Sequence, residues 1–294
     1  MRNGRGAVFT TPQLLAAEPY LVAAELADQG AESRIFLAAP VSPAELDDFF
    51  GDQIETEQTV CWDSSAQAVR AKERRRLGAL ILNETALPEP DPEETLAALL
   101  TGVASEGLGI LPWTKAARQL QERLNFLHHA DPEWPDVSDA ALATTAAEWL
   151  GPHLYGMKSR NDLQRLNLTE VLSAPLTRAQ RRLLEEAAPT HIVVPSGSRI
   201  PVDYSDPAAP VLAVRLQEMF GLHETPRIGG GRVPLTLHLL SPAHRPVQVT
   251  QDLASFWRSA YFEVRKDLRG RYPKHYWPED PTAAIPTHKT RPHP

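Results

Sequence analysis

The sequence predicts an α+β protein of several domains, and three observations carry that expectation. Apolar residues alternate at period two up to residue 88 and again beyond residue 189. Between 91 and 188 they recur instead at helical spacing, behind repeated capping signals. Leu87–Pro92 (LPEPDP) then punctuates the chain, because three prolines in six residues continue neither a strand nor a helix. A chain of 294 residues is long enough for about two domains with a sizeable core.

Taken in order, Tyr20–Asp28 and Ser33–Pro40 read as strands joined by a turn at Gln29-Gly30. Ser42, Pro43 and Glu45 open a short helix, with serine as cap, proline in the first helical position and glutamate closing a capping box. It ends near Gly51. Gln53–Asp63, Ala66–Leu77 and Gly78–Leu87 add three more strands, giving five or six strands around one inserted helix. That count suits a small OB-like β-barrel over residues 1–88.

One strand of this unit carries a candidate site. At period two Arg70, Lys72, Arg74 and Arg76 share one face, and Val69, Ala71, Glu73, Arg75 and Leu77 share the other. Alternate strand residues lie about 6.6 Å apart, close to the phosphate spacing of an extended single strand, so the row could track a nucleic-acid backbone. The competing reading is a solvated sheet face. Phe36 and Trp62 are the nearby rings, as stacking platforms or as core.

The middle of the chain, 89–188, reads as a helical bundle. Asp91-Pro92-Glu93-Glu94 supplies cap, proline and acidic first turn for a helix buried through Leu96, Leu99, Leu100 and Val103. A second helix follows Thr114, with Ala116, Leu120, Leu124 and Leu127 on one face, and a third begins at Ser138 with Leu142, Ala146, Trp149 and Leu150 inward. Shorter ones start at Ser159 and at Thr177, where Gln180 completes T-x-x-Q. His128, His129 and Asp131 do not make a metal site, since adjacent histidines diverge on a helix and no further ligands follow at usual spacing. Trp113, Trp134 and Trp149 read as core anchors.

From 189 to 281 the pattern predicts an α+β domain. Thr190–Val194 and Arg199–Tyr204 form a hairpin, and Val211–Phe220 reads as a helix closed by Gly221. Arg227-Ile228-Gly229-Gly230-Gly231-Arg232 reads as a turn, lacking the lysine and hydroxyl of a phosphate-binding loop. Leu235, Leu237 and Leu239 alternate in a strand that Pro242 ends, and Val247 and Val249 resume the alternation in the next. Leu253, Phe256, Trp257, Tyr261, Val264 and Leu268 then form the apolar stripe of one helix that stops at Gly270. Beyond it Arg271, Tyr272, Lys274, His275, Tyr276 and Trp277 interleave cations and rings. Residues 282–294 read as a disordered tail.

Charge is unevenly placed. Residues 189–294 hold 13 Lys and Arg against 9 Asp and Glu, whereas the first 188 hold 17 against 28. Nucleic-acid binding must therefore rest on local patches: the row Arg70, Lys72, Arg74 and Arg76, and the cations Arg265, Lys266, Arg269, Arg271 and Lys274. The second group could equally pair with carboxylates of the acidic body. The single cysteine, Cys61, excludes an internal disulfide and fits a reducing compartment; no apolar run is long enough for a membrane span. The expected location is the cytoplasm. G-x-S-x-G and H-E-x-x-H are both missing, so no catalytic residues are assigned.

The runs RPVQVTQDLASFWRSAYFEVRKDLRGRYPKHYWPEDP, PTHIVVPSGSRIPVDY and VLAVRLQEMFGLHETPRIGGGRVPLTLHLLSP resemble the carboxy-terminal region of bacterial HrpB-type DEAH-box ATP-dependent helicases. Similarity continues through LPWTKAARQLQERLNFL, RRRLGAL and GRGAVF, so it covers nearly the whole chain. The sequence has no G-x-x-x-x-G-K-S/T run and no DEAH-like run, and the motor domains that bind ATP and Mg in such helicases are not part of it. The resemblance implies an OB-like domain here, motor domains in cis, single-stranded RNA or DNA as partner, and no cofactor held by this chain. Two functions follow: a nucleic-acid-gripping, motor-supporting portion of a helicase without ATPase activity of its own, or a protein-interaction module that touches no nucleic acid.

Overall fold

The computed structural model of the chain describes residues 1–29 and 32–292. The expected turn at Gln29-Gly30 falls on Gly30 and lies outside them. The architecture is α+β, in two compact units: Met1–Glu106 with Leu154–Asp162, and Gly107–His153 with Leu163–Pro294.

The first unit holds β1 (Gly6–Phe9), β2 (Leu21–Gln29), β3 (Glu32–Pro40), α1 (Pro43–Phe50), β4 (Ile54–Asp63), β5 (Ala68–Leu77), β6 (Leu80–Ala86) and α2 (Pro92–Glu106). The capping box at α1 forms as the spacing requires, with Ser42 Oγ accepting from Glu45 N and Ser42 N donating to Glu45 Oε2 at 2.8 Å. Asp91 accepts from Glu93 N and Glu94 N at the start of α2.

The strands do not close into the expected OB-like barrel. They make two separate three-stranded sheets, β1-β3-β2 and β4-β5-β6, and no ladder joins them among the described residues. Closure would require hydrogen bonds between the outer strands of the two sheets. Instead a helix covers the second sheet: Gly102 of α2 lies so close to Trp62 of β4 that a Cβ there would stand 2.3 Å from the ring. Gly78, at φ +59°, makes the β5–β6 turn, where a Cβ would meet the carbonyl of Arg2 at 2.4 Å.

The second unit holds α3 (Lys115–Ala130), α4 (Asp139–Thr144), α5 (Ala146–Trp149), α7 (Leu168–Ser173) and α8 (Arg178–Ala187), with the short α6 (Arg160–Leu163) at the boundary between the units. Thr114, Ser138 and Thr177 cap α3, α4 and α8, the last through the T-x-x-Q box. A five-stranded sheet follows, built from β7 (His191–Val193), β8 (Arg199–Asp203), β9 (Val211–Arg215), β12 (Thr236–Leu240) and β13 (Pro246–Thr250) in the order β13-β12-β9-β8-β7. The small hairpin of β10 (Arg227–Ile228) and β11 (Val233–Pro234) turns through the glycine run, whose three glycines all have positive φ. Helices α9 (Leu253–Arg258) and α10 (Tyr261–Arg271) complete the element order.

The bundle expected over 89–188 is not a body of its own. Its first helix belongs to the first unit, while Leu120, Leu124, Phe126, Leu172 and Leu184 share one hydrophobic core with the C-terminal sheet and aromatic helices. Arg123 fastens this core. It is 5% exposed, and its guanidinium donates to the terminal carbonyls of α8 at Leu184 and Ala188 and to Glu185, the partners a buried cation requires.

Three further expectations change. Val211–Arg215 is a strand rather than the start of a helix, with Leu212 and Val214 fully buried and β9 pairing parallel to β12; a short apolar run fits either period until its neighbours decide. The helix expected from 253 to 268 breaks at Ser259, whose N bonds both Ser255 O and Phe256 O and whose hydroxyl returns to Ser255 O at 2.7 Å. Its second half runs past Gly270 to Arg271.

The tail expected to be disordered is held down as far as the described residues go. Gly221 N donates to Pro281 O, Thr287 N to Gln217 O and Tyr276 N to Thr290 O. Gln217 Nε2 in turn donates to Thr287 O at 3.2 Å and Lys289 O at 2.5 Å. The segment supplies acceptors to donors that would otherwise be buried unpaired, a role its polar composition does not announce.

Two outcomes follow. Gly102→Ala should destabilise the first unit by about 1–3 kcal/mol, since Trp62 and the backbone of α2 cannot both stay in place, and this is read as a lower midpoint in thermal denaturation. Gln217→Ala should remove the donor to the carbonyls of Thr287 and Lys289 at a cost of about 1–3 kcal/mol, and limited proteolysis should then cut within residues 282–292 faster than in the unsubstituted chain.

Candidate nucleic-acid interface

The register of the second sheet places every member of the predicted row. Arg76 faces Glu55, Arg74 faces Glu57, Lys72 faces Thr59 and Arg70 faces Cys61 across β4, and on the other side Arg74 faces Glu84 of β6. Cross-strand neighbours on one face lie within about 5.5 Å, so each cation meets what stands opposite it.

The four positions are not equivalent. Arg76 has two carboxylates, Glu55 at 3.3 Å and Glu57 at 3.4 Å. Lys72 and Arg74 share one, Glu84, at 2.6 and 2.5 Å. Their two bonds hold the Glu84 carboxyl below its ordinary value, Lys72 contributing first. Arg70 reaches Asp63 only at 4.0 Å, and Asp63 is engaged chiefly with Ser65 and Ala66, which lower its pKa. The Arg76 end of the row is thus negative in balance and the Arg70–Lys72 end positive. Arg75, on the opposite face, pairs with Asp47 of α1.

The positive end borders two hollows. Thr59, Cys61, Asp63, Arg70, Lys72 and Arg74 line one of about 460 Å³. Arg70, Lys72, Glu84, Pro90 and Lys158 line another of about 410 Å³. Arg70 and Lys72 belong to both, so the hollows share a wall. Lys158 comes from far along the chain, held by Val69 N donating to Lys158 O at 2.7 Å, Arg160 N donating to Gln67 O at 2.9 Å and a bridge between Ala68 and Ser159. Nothing in the sequence spacing connects residue 158 with residue 69.

The carboxy-terminal group divides as well. Arg265 is structural: its Nε donates to Trp277 O at 3.1 Å, and its guanidinium lies 3.4 Å from Glu279. Arg271 pairs with Asp267 one turn back. Lys266, Arg269 and Lys274 are exposed, with no carboxylate within ion-pair distance among the described residues. Phe262, 49% exposed, precedes Lys266 and Arg269 by one and two turns and shares their side of α10. The rings of the following run turn the other way: Trp277 is buried and Tyr272 and Tyr276 pack on the core. Phe220, Trp257 and Tyr261 form a cluster with ring centroids 5.4–6.2 Å apart, Tyr261 edge-on to the other two, and burial pushes the Tyr261 hydroxyl up from its ordinary pKa.

Of the remaining candidates, Phe36 is exposed in the first sheet, and Trp62 is committed to α2, its Nε1 donating to Glu106 at 3.4 Å. Trp134 is buried, and Trp113 and Trp149 pack on the core. His128 Nδ1 lies 2.6 Å from the carbonyl of Trp134, and among the described residues no three His, Cys, Asp or Glu side chains stand together as metal ligands. No helix among them is long and apolar enough to cross a membrane.

Comparison with known proteins agrees with the resemblance in the sequence. Residues 149–281 match the family described as ATP-dependent helicase C-terminal, and residues 53–87 match the connector region of ATP-dependent RNA helicase HrpB. The chain is 39% identical over 295 residues to the ATP-dependent RNA helicase HrpB of Escherichia coli (strain K12), covering 99% of this chain and 36% of that protein. The crystal structure of the E. coli DExH-box NTPase HrpB superposes with a TM-score of 0.66 at 39% identity, covering 99% of this chain and 36% of that one. A crystal structure of the E. coli DEAH/RHA helicase HrpB gives 0.57 at 35% identity, over 94% and 35%. The chain spans about a third of the length of these relatives.

The split of the strand row has a measurable consequence. Removing Arg70 and Lys72 together should lower the slope of log affinity against log salt for a single strand by about 1–1.5. Arg76→Ala should leave that slope unchanged, because Glu55 and Glu57 already offset its charge; titration by fluorescence anisotropy at several salt concentrations distinguishes the two.

Proposed function

We propose that this chain, which belongs to the HrpB family of ATP-dependent helicases and carries the family's connector and carboxy-terminal regions, grips single-stranded RNA or DNA and braces a motor that supplies the energy. The observation that carries the reading is the exposed cationic face of α10, where Lys266 and Arg269 stand one turn apart beside Phe262, with Lys274 following. Three exposed cations without carboxylate partners among the described residues make a local positive patch on a chain of net charge −7, and such a patch attracts an anion. A phosphate backbone against the cations and a base against the ring satisfies both halves of the patch.

The bracing half draws on the first unit, where Leu14, Phe36, Leu37 and Phe49 are between 57% and 93% exposed. Apolar side chains left open in such number suit contact with another protein surface. The same residues favour the second reading, an interaction module with no nucleic-acid contact. ATP and Mg would be bound by motor domains in cis, and hydrolysis would take place there. Localisation in the cytoplasm accords with the reducing compartment that a single exposed thiol, Cys61, suits.

The purified chain should bind a short single-stranded oligonucleotide in a salt-dependent manner and show no ATP turnover. The triple substitution Lys266→Ala, Arg269→Ala and Lys274→Ala should cut the salt slope by about 2. Absence of binding at low salt would select the interaction module, and ATP turnover by the pure chain would overturn both.

A further inference from the structure

Next to the groove of Arg70, Lys72 and Lys158 lies a feature that the cationic rows do not include. Leu154–Asp162 leaves the helical region and docks on the start of β5 through the bonds of Val69 to Lys158 and of Arg160 to Gln67. Lys158 N and Ser159 Oγ both donate to Asp162 Oδ2, and Gly156 turns the segment at φ +77°. The loop is therefore built, with its backbone tied at both ends of the turn. It presents Tyr155, 80% exposed, beside a hollow of about 250 Å³ lined by Glu89, Pro90, Pro92, Leu96, Met157 and Lys158. Pro90 and Lys158 line this hollow and the larger cationic one alike, so a recess with an open ring adjoins a groove with Arg70 and Lys72.

We propose that this surface is a single-strand binding site in which a base stacks on Tyr155 over the apolar hollow, while Lys158, Arg70 and Lys72 hold the neighbouring phosphates. The chemistry selects the occupant. An apolar recess alone would suit many ligands, but the cations alongside it favour an anionic one: Lys72 is paired with Glu84 at 2.6 Å, whereas Lys158 has no carboxylate within ion-pair distance among the described residues. Single-stranded nucleic acid alternates a flat apolar ring with an anion at this scale, and rings joined to a positive groove are how such strands are held without sequence preference. A duplex presents the same phosphates with its bases already stacked and unable to reach the ring. The site rests on the nucleic-acid reading given above and specifies where, in the first unit, a strand is held.

The test uses the full chain with short labelled oligouridine, oligothymidine and a duplex of the same length. Tyr155→Ala should weaken single-strand binding by about five- to a hundred-fold and leave duplex binding and the thermal midpoint unchanged. Tyr155→Phe keeps the ring and should keep the affinity. Lys158→Ala should lower the single-strand salt slope by about 0.7. Photocrosslinking with 4-thiouridine in the oligonucleotide should label the peptide that contains Tyr155. If the chain binds strands while Tyr155→Ala matches the unsubstituted protein and crosslinks fall elsewhere, the proposal is overturned and the wider reading stands. If the unsubstituted chain binds no strand at low salt, both fall.

Discussion

The register of β4, β5 and β6 is the constraint on which the first unit depends. Side chains alternate strictly along a strand, so a slip of one residue would turn Arg70, Lys72, Arg74 and Arg76 from the open face to the one beneath α2, and would bring Val69 and Leu77 out. Two features forbid the slip. Trp62 must stay on the side where Gly102 leaves room for its ring, and Glu55, Glu57 and Glu84 must stay opposite the cations that repel one another along β5. Packing on one face and charge pairing on the other thus enforce the same alignment.

That alignment also grades the charge. Carboxylates are unevenly shared along the row, two for Arg76 and one between Lys72 and Arg74, so an apparently uniform basic strand has one positive end and one negative in balance. Solvent-exposed pairs of this kind add little stability. Their effect is on where an anion can approach, and it is at the positive end that Lys158 joins from a distant segment.

The second unit follows a different rule. Its strands and helices are held by one core, with Leu212, Leu235, Leu237 and Leu239 from the sheet meeting Phe220, Trp257 and Tyr261, and each polar edge of an aromatic finds a carbonyl: Trp257 on Leu222, Tyr261 on Pro278, Trp277 on Tyr272. With the rings turned inward, the cations interleaved with them in sequence are left outside. Lys266, Arg269 and Lys274 are exposed, whereas Tyr261, Leu268 and Trp277 of the same stretch are buried.

The sequence by itself determined what depends on neighbours in the chain: the capped starts of α1, α2, α3, α4 and α8, the alternation of β5 and β12, the glycine turn before β11, and the family resemblance. Periodicity and capping are local, and local spacing writes them into the residues. Only the tertiary structure decided what depends on distant partners. Whether six strands close or split into two sheets turns on which edges find partners and on the helix lying over Trp62. Whether Val211–Arg215 is helix or strand turns on β12 beside it, and whether the tail lies free turns on Gln217 and Gly221 some seventy and sixty residues upstream. Of the nine cations the sequence marked, Arg76, Arg265 and Arg271 are offset by carboxylates, while the segment of Tyr155 and Lys158 is brought beside β5 by hydrogen bonds that no spacing records.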